Sequence, residues 1–380
     1  MSHAYFSPSA SSRWLSCTAS LALDVSHLTP KTTYASELGT ALHEAGEQLL
    51  LNQTTAKKLV GATYNGIKLD RVHVTEILVP YVEFVRKHCE EGESYELFTE
   101  TRAVLTDDCE GTADVVILIR KKNGLYTLKV IDLKTGSGEK VSPINNTQLM
   151  IYAAGVYKTY SLIYDIDDIQ IGICQPPHNV YALVSVVEKN LVNFAKQVES
   201  VIEDVRAGNV TYVPSDSACR WCPGVSICPK LHSAVNELAK VDFEKIPKAS
   251  AKTMAELVAL LPLAKRAIAA IESEASERLL AGKKVPGYKL VQGRGSRDWK
   301  FSEDKLVPKL LALKIPKTWL YNSSLLSPFQ IEKVLIDKGR DPKEVSKLIK
   351  SIPGKPTMAP ESDSREAVDA NADAQKDFSK

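Results

Sequence analysis

The chain has 380 residues, 44% hydrophobic and 25% charged, with a formal net charge of +2. This is the composition of a globular protein long enough for one large domain with appendages or for two domains, and near-neutrality requires any nucleic-acid groove to be local. There is no basic-then-apolar leader and no apolar run near the roughly 18 residues of a membrane span, so the expected location is the cytoplasm, without a membrane partner.

In chain order, residues 7–23 predict a short helix with Ser7 as N-cap and Pro8 at the first helical position, with Cys17 near its end. Leu38, Leu42, Ala45 and Leu49 give helical spacing over 35–51, with Gly39 and His43 on one face. Asn65-Gly66 is a hairpin turn signal, and 72–89 predicts a helix interrupted at Pro80. Three apolar runs, 95–105, 113–120 and 126–133, predict strands separated by turn residues. A helix over 144–160, strands over 169–174 and 180–187, and a helix over 190–207 complete a mixed α/β pattern with a central sheet.

Farther on, 252–280 predicts a long helix interrupted at Pro262, and 287–301 a strand-like piece rich in Gly and Arg. Residues 302–351 predict a small lysine-rich helical unit, with helices opened by Ser327-Pro328 and Asp341-Pro342. From about Ser364 the chain is polar and aperiodic, and disorder is expected.

The chemistry concentrates between Gly111 and Tyr152. Asp132 and Lys134 alternate along a strand and so face one side of the sheet, and Asp114 comes from the neighbouring strand. Two carboxylates can share a divalent cation that polarises a phosphate and lowers the pKa of bound water. A lysine beside them can orient water or offset transition-state charge. His43 adds a candidate nitrogen ligand that shifts preference toward Mn²⁺ over Mg²⁺. Gln148 and Tyr152, four apart on a helix, can both reach a substrate strand. Each piece alone is commonplace: Asp-x-Lys is usually a solvated edge or an ion pair. The ordered set is what carries information.

That order, His43, Gly111-x-x-Asp114, Asp132-x-Lys134, Gln148-x-x-x-Tyr152, resembles the motifs of the RecB-like branch of the PD-(D/E)xK nuclease superfamily. The resemblance implies a restriction-endonuclease-like α/β core. It implies that His43, Asp114, Asp132 and the carbonyl of Leu133 hold the metal, that Lys134 serves catalysis, and that Gln148 and Tyr152 position nucleic acid. It spans roughly residues 7–230, and the expected division is a nuclease domain over 1–235, an accessory region over 236–363 and a tail over 364–380.

Of seven cysteines, Cys89, Cys109 and Cys174 fit buried apolar positions, whereas Cys219, Cys222 and Cys228 form C-x₂-C-x₅-C. In a reducing compartment such a cluster points to metal rather than to disulfides. Three thiolates need a fourth ligand. Cys17 is the first candidate and His232 the second, and four thiolates suit zinc or a [4Fe–4S] cluster. One cysteine far upstream and three downstream of the motifs resemble the iron–sulfur arrangement of AddB-type and CRISPR-associated exonucleases, in which the cluster staples the nuclease domain and supports DNA binding.

The region after residue 241 resembles a family of phage and prophage nucleases. Gly293-Arg294-Gly295-Ser296-Arg297 offers backbone and charge to phosphates, and Trp299 an aromatic face to a single-strand base, although a solvated surface hairpin fits these residues equally well. No G-x-x-x-x-G-K-[ST] stretch occurs, so unwinding would require a partner such as a helicase. A single-strand annealing protein is a second candidate partner. The expected function is a metal-dependent DNA exonuclease acting on linear or single-stranded ends in recombination, repair or replication. The competing readings are an inactive iron–sulfur DNA-binding module and a zinc-stapled nuclease acting on RNA.

Overall fold

A computed structural model describes residues 5–25, 33–293, 295–301, 303–320, 325–352 and 354–368. The chain divides into two compact units, 1–267 and 268–380, so the boundary lies inside a long helix rather than near residue 235.

The first unit is built on five strands, β1 (Ser94–Thr106), β2 (Cys109–Arg120), β3 (Tyr126–Leu133), β4 (Ile166–Gln175) and β5 (Val180–Val186), which neighbour one another in that order. Every adjacent pair is antiparallel except β3–β4, which is parallel. A parallel pair needs a crossover, and a helix over Thr147–Tyr160 supplies it. The flanking helices are α1 (Tyr34–Leu50), α2 (Val79–Cys89), this α3 (Thr147–Tyr160), α4 (Glu188–Arg206) and the one-turn α5 (Asp216–Arg220).

One face of the sheet buries Val116, Leu118, Leu128 and Val130 against Leu149, Ala153 and Val156 of α3 and Val198 and Ile202 of α4. The other face buries Val115, Ile117, Ile119 and Ile131 against Tyr81, Val82 and Val85 of α2. Each large aliphatic side chain so removed from water contributes roughly 1.5–3 kcal/mol. A Cβ on Gly155 would come within 2.8 Å of the Val104 backbone nitrogen, so α3 lies directly on β1.

Two local expectations change. Ser7 makes no side-chain cap. A 3₁₀ turn, Pro8–Ala10, precedes the helix Ser11–Ser16, and the Ser7 carbonyl instead accepts the indole N–H of buried Trp14 at 2.9 Å. Pro80 does not interrupt its helix either: a π-helical turn over His73–Leu78 runs into α2 and places the proline near the start of the α-helical segment, where its missing N–H is tolerated.

The second unit is less purely helical than expected. Strands β6 (Tyr288–Gln292) and β9 (Pro356–Pro360) pair antiparallel, as do β7 (Ser296–Trp299) and β8 (Ile349–Ile352). With helices over Glu303–Ala312 and Pro328–Asp337 they enclose Trp299, Leu306, Leu310, Ile331, Leu335 and Val345. Ser327 opens the latter helix with a full capping box to Gln330. Residues 364–368 are not disordered: Ala367 bridges to Val291, and the Val368 N–H donates to the Leu290 carbonyl at 2.9 Å. Residues 369–380 lie outside the described residues.

Candidate metal centre

The strand alternation that places side chains on opposite faces breaks at one cross-strand position. In β2, Ala113 and Val116 belong to the same core face, and in β1 so do Phe98 and Ala103, although a regular strand would separate each pair. The break falls where Glu100, between the Thr99–Val115 and Thr101–Ala113 pairs, lies across from Asp114. Glu100 has φ +46°, a left-handed backbone that a non-glycine residue adopts only when its surroundings enforce it.

Around this break His43, Glu100 and Asp114 each offer a ligand atom within 4.8 Å of the others. His43 comes from α1, and its Nδ1 lies 3.1 Å from Asp114 Oδ1. The other carboxylate oxygen, Oδ2, accepts the Leu133 backbone N–H at 2.6 Å, which fixes the end of β3 against Asp114. Gly111 leaves room for this packing, because a Cβ there would sit 2.9 Å from the Tyr152 ring and 3.1 Å from Pro8.

Asp132 is 3% exposed, and its Oδ1 accepts the Gln148 amide at 3.0 Å. Lys134 Nζ forms an ion pair with Asp132 Oδ2 at 2.9 Å. Lys134 also donates to Gln148 Oε1 at 3.0 Å, and Gln148 Nε2 donates to the Tyr152 hydroxyl at 3.3 Å. Gln148 and Tyr152 are thus turned onto Asp132 and Lys134 rather than outward. Burial raises the pKa of the Tyr152 phenol, which keeps its proton.

The donor set fits a hard divalent cation: oxygen and imidazole ligands converge, and the buried Asp132 carboxylate lies nearby with the Lys134 ammonium against it. Electrostatics agree. Burial alone would lower the His43 pKa, but the Asp114 carboxylate outweighs it and raises it to about 9. Burial, reinforced by Asp114, raises Glu100 to about 7, and burial with Asp114 raises Asp132 against the opposing pull of Lys134.

These shifts share one sign for stability. Glu100 holds in the fold a proton that its unfolded form releases from about 4.5 upward, and His43 does so from 6.5 to about 9. The stabilisation attached to those protons is complete at low pH and is lost as pH rises through the folded-state pKa values. A cation bound there would replace them. The gain in melting temperature produced by Mn²⁺ should therefore increase from pH 6 to pH 9. A gain that is flat or falls over that window would remove these residues from the binding site.

Glu100 is the candidate ligand that the motifs did not single out. Its signal is the loss of alternation at a carboxylate on two strands that pair with each other.

The cysteine-rich segment is built separately. Cys17, Cys219, Cys222 and Cys228 all line one small recess with Leu23, Tyr212 and Leu231. Cys17 accepts the Val213 N–H at 3.4 Å, and the Ala19 N–H donates to the Thr211 carbonyl, so the two ends of this unit are bonded to each other. His232 is exposed, donates to the Ser226 carbonyl at 2.8 Å and does not line the recess. Burial raises the thiol pKa values of Cys219 and Cys222.

One expected contact in the second unit is corrected. Trp299 is 8% exposed, lies in a hydrophobic core and donates its indole N–H to the Leu326 carbonyl at 3.0 Å, so it presents no face for stacking. Arg297 keeps a half-exposed guanidinium that pairs with Glu332 through two 2.6 Å contacts. Arg294 lies outside the described residues.

The class defined by these features is a mixed α/β protein with a five-stranded sheet flanked by helices and an acidic, histidine-containing centre on it. The chain belongs to the family described as "Protein of unknown function (DUF2800)", which matches residues 3–366. Among solved structures it is similar to one titled "Crystal structure of SSO0001", at 14% identity and TM-score 0.24, over 54% of this chain and 91% of that one. Among the described residues no helix is long and apolar enough to cross a membrane.

Proposed function

We propose that the chain is a metal-dependent DNA nuclease on a restriction-endonuclease-like core, acting on DNA ends. The supporting observation is the convergence of His43, Glu100 and Asp114 beside the buried Asp132 and the Lys134–Gln148–Tyr152 network. His43, Glu100, Asp114, Asp132 and the Leu133 carbonyl would hold the cation. Mn²⁺ or Mg²⁺ bound there supplies polarisation of the scissile phosphate and a lowered pKa for the attacking water.

The protein's own groups do the rest. Asp132 and Gln148 hold the Lys134 ammonium in one place, where it offsets charge developing on the phosphate oxygens. Tyr152 and Gln148 fix the Asp132 carboxylate.

The recess lined by the four cysteines is proposed to hold a [4Fe–4S] cluster. The same four thiols would also satisfy a zinc ion, which stays the alternative.

The deciding experiment is digestion of 5′- and 3′-labelled linear DNA and of covalently closed circular DNA with Mn²⁺ or Mg²⁺. Metal-dependent loss of linear DNA with the circle spared is expected. No cleavage under either metal would overturn the reading, and cutting of the circle would replace the exonuclease with an endonuclease.

A further inference from the structure

Thirteen residues, 135–147, join Lys134 to Gln148. The conformation of this connection sets where the lysine ammonium meets the glutamine carbonyl. Gly136 through Lys140 are exposed, and residues 135–146 contain no helix or strand. One buried side chain organises it. Gln175, the last residue of β4, is 2% exposed, and its amide makes three hydrogen bonds to this loop. Its Nε2 donates to the Gly136 carbonyl at 3.0 Å and to the Glu139 carbonyl at 2.9 Å, and its Oε1 accepts the Val141 N–H at 2.8 Å.

The preceding residue, Cys174, accepts the Lys134 N–H at 2.8 Å through its carbonyl. The end of β4 therefore fixes the lysine backbone with one residue and the loop after it with the next. At the loop's outer edge Arg220 of α5 contacts Glu139 at 2.6 Å, but this pair is exposed and contributes little. The Gln175 amide itself is buried, so its three bonds hold the loop from the protein side.

We propose that Gln175 is a positioning residue: by bonding 136–141 it holds Lys134 and Gln148 in register with Asp132. This rests on the nuclease reading for its activity arm and on geometry alone for its other arms. Only Gln combines the reach, the two donors and the acceptor that these bonds use. Gln175→Leu keeps much of the volume and loses all three bonds, and Gln175→Glu keeps the acceptor and loses both donors.

The test compares wild type with both variants in three measurements: amide hydrogen exchange over 136–141, Mn²⁺ affinity by calorimetry, and mass-spectrometric acylation of Lys134. For Gln175→Leu the Val141 amide should exchange at least tenfold faster and Lys134 acylation should rise severalfold, with Mn²⁺ affinity within about twofold of wild type. Gln175→Glu should fall between the two. DNA cleavage should show a turnover number about tenfold lower with KM unchanged, a split that general loosening of the fold would not produce. Unchanged exchange, unchanged Lys134 reactivity, or a loss confined to KM would each overturn the role. If wild type cuts no DNA the nuclease reading fails by itself, and exchange and acylation still decide whether Gln175 positions Lys134.

Discussion

Asp114→Asn should lose Mn²⁺-dependent DNA cleavage by on the order of 10³ or more without unfolding. The substitution is nearly isosteric, and an amide oxygen can still accept the Leu133 N–H that the carboxylate accepts now. What disappears is charge. The Asp114 carboxylate holds the His43 proton in the metal-free protein and is one of three groups converging within 4.8 Å. A cation that polarises phosphate is worth several kcal/mol of transition-state stabilisation, and about 4 kcal/mol is a factor of roughly 10³.

The same change should alter the stability of the metal-free protein only modestly, because the lost attraction to the protonated His43 and the relieved repulsion on Asp132 and Glu100 oppose each other. Mn²⁺ should then no longer raise the melting temperature. Lys134→Met separates the roles, since cleavage should fall comparably while Mn²⁺ binding persists. Wild-type cleavage by either variant would show that this centre is not where hydrolysis occurs.

How much of this centre could be read from sequence depends on regularity. Asp132 and Lys134 were legible because β3 alternates cleanly up to its end and the parallel rung from Lys134 to Cys174 extends that order by one residue. His43 was legible because α1 holds a regular apolar face at Ala41, Leu42 and Ala45. Glu100 was not, because its backbone is irregular and reasoning by period two places it on the wrong face. Lys129 shows the converse. Alternation places it on the α2 face of β3, but nothing in its own strand indicates that Glu91, at the end of α2, would pair with it and allow 1% exposure.

Gln175 was invisible for a third reason. Its three bonds go to backbone groups of a loop with no periodicity, and backbone partners leave no residue pattern to detect. Trp299 was misjudged for a related reason. A short strand rich in Gly and Arg looks like a surface hairpin, and its burial comes from two helices that lie later in the chain. Local pattern identified chemistry held by regular elements and missed chemistry held by irregular ones.

Cys17→Ser should produce the largest loss of stability, together with loss of the proposed cluster's visible absorbance. Cys17 and the Cys219–Cys228 segment enclose the sheet, α1 to α4 and the metal centre between them, and all four thiols line one recess. A cross-link there closes a loop of about 200 residues, which in the chain-entropy treatment restricts the unfolded state by roughly 5 kcal/mol. For a unit of this size that corresponds to a melting temperature lower by roughly 10–20 °C.

Packing at Cys17 contributes less, so Cys109→Ala, at a fully buried cysteine away from the recess, provides the control. It should cost about 1–2 kcal/mol and leave the absorbance intact. His232→Ala should leave both properties unchanged, because that ring points to Ser226 and not to the thiols. Colourless protein with stoichiometric zinc after anaerobic purification would replace the cluster with a zinc staple. Cys17→Ser melting no lower than Cys109→Ala would remove the staple altogether and leave hydrogen bonds such as those between 17–19 and 211–213 to join these segments.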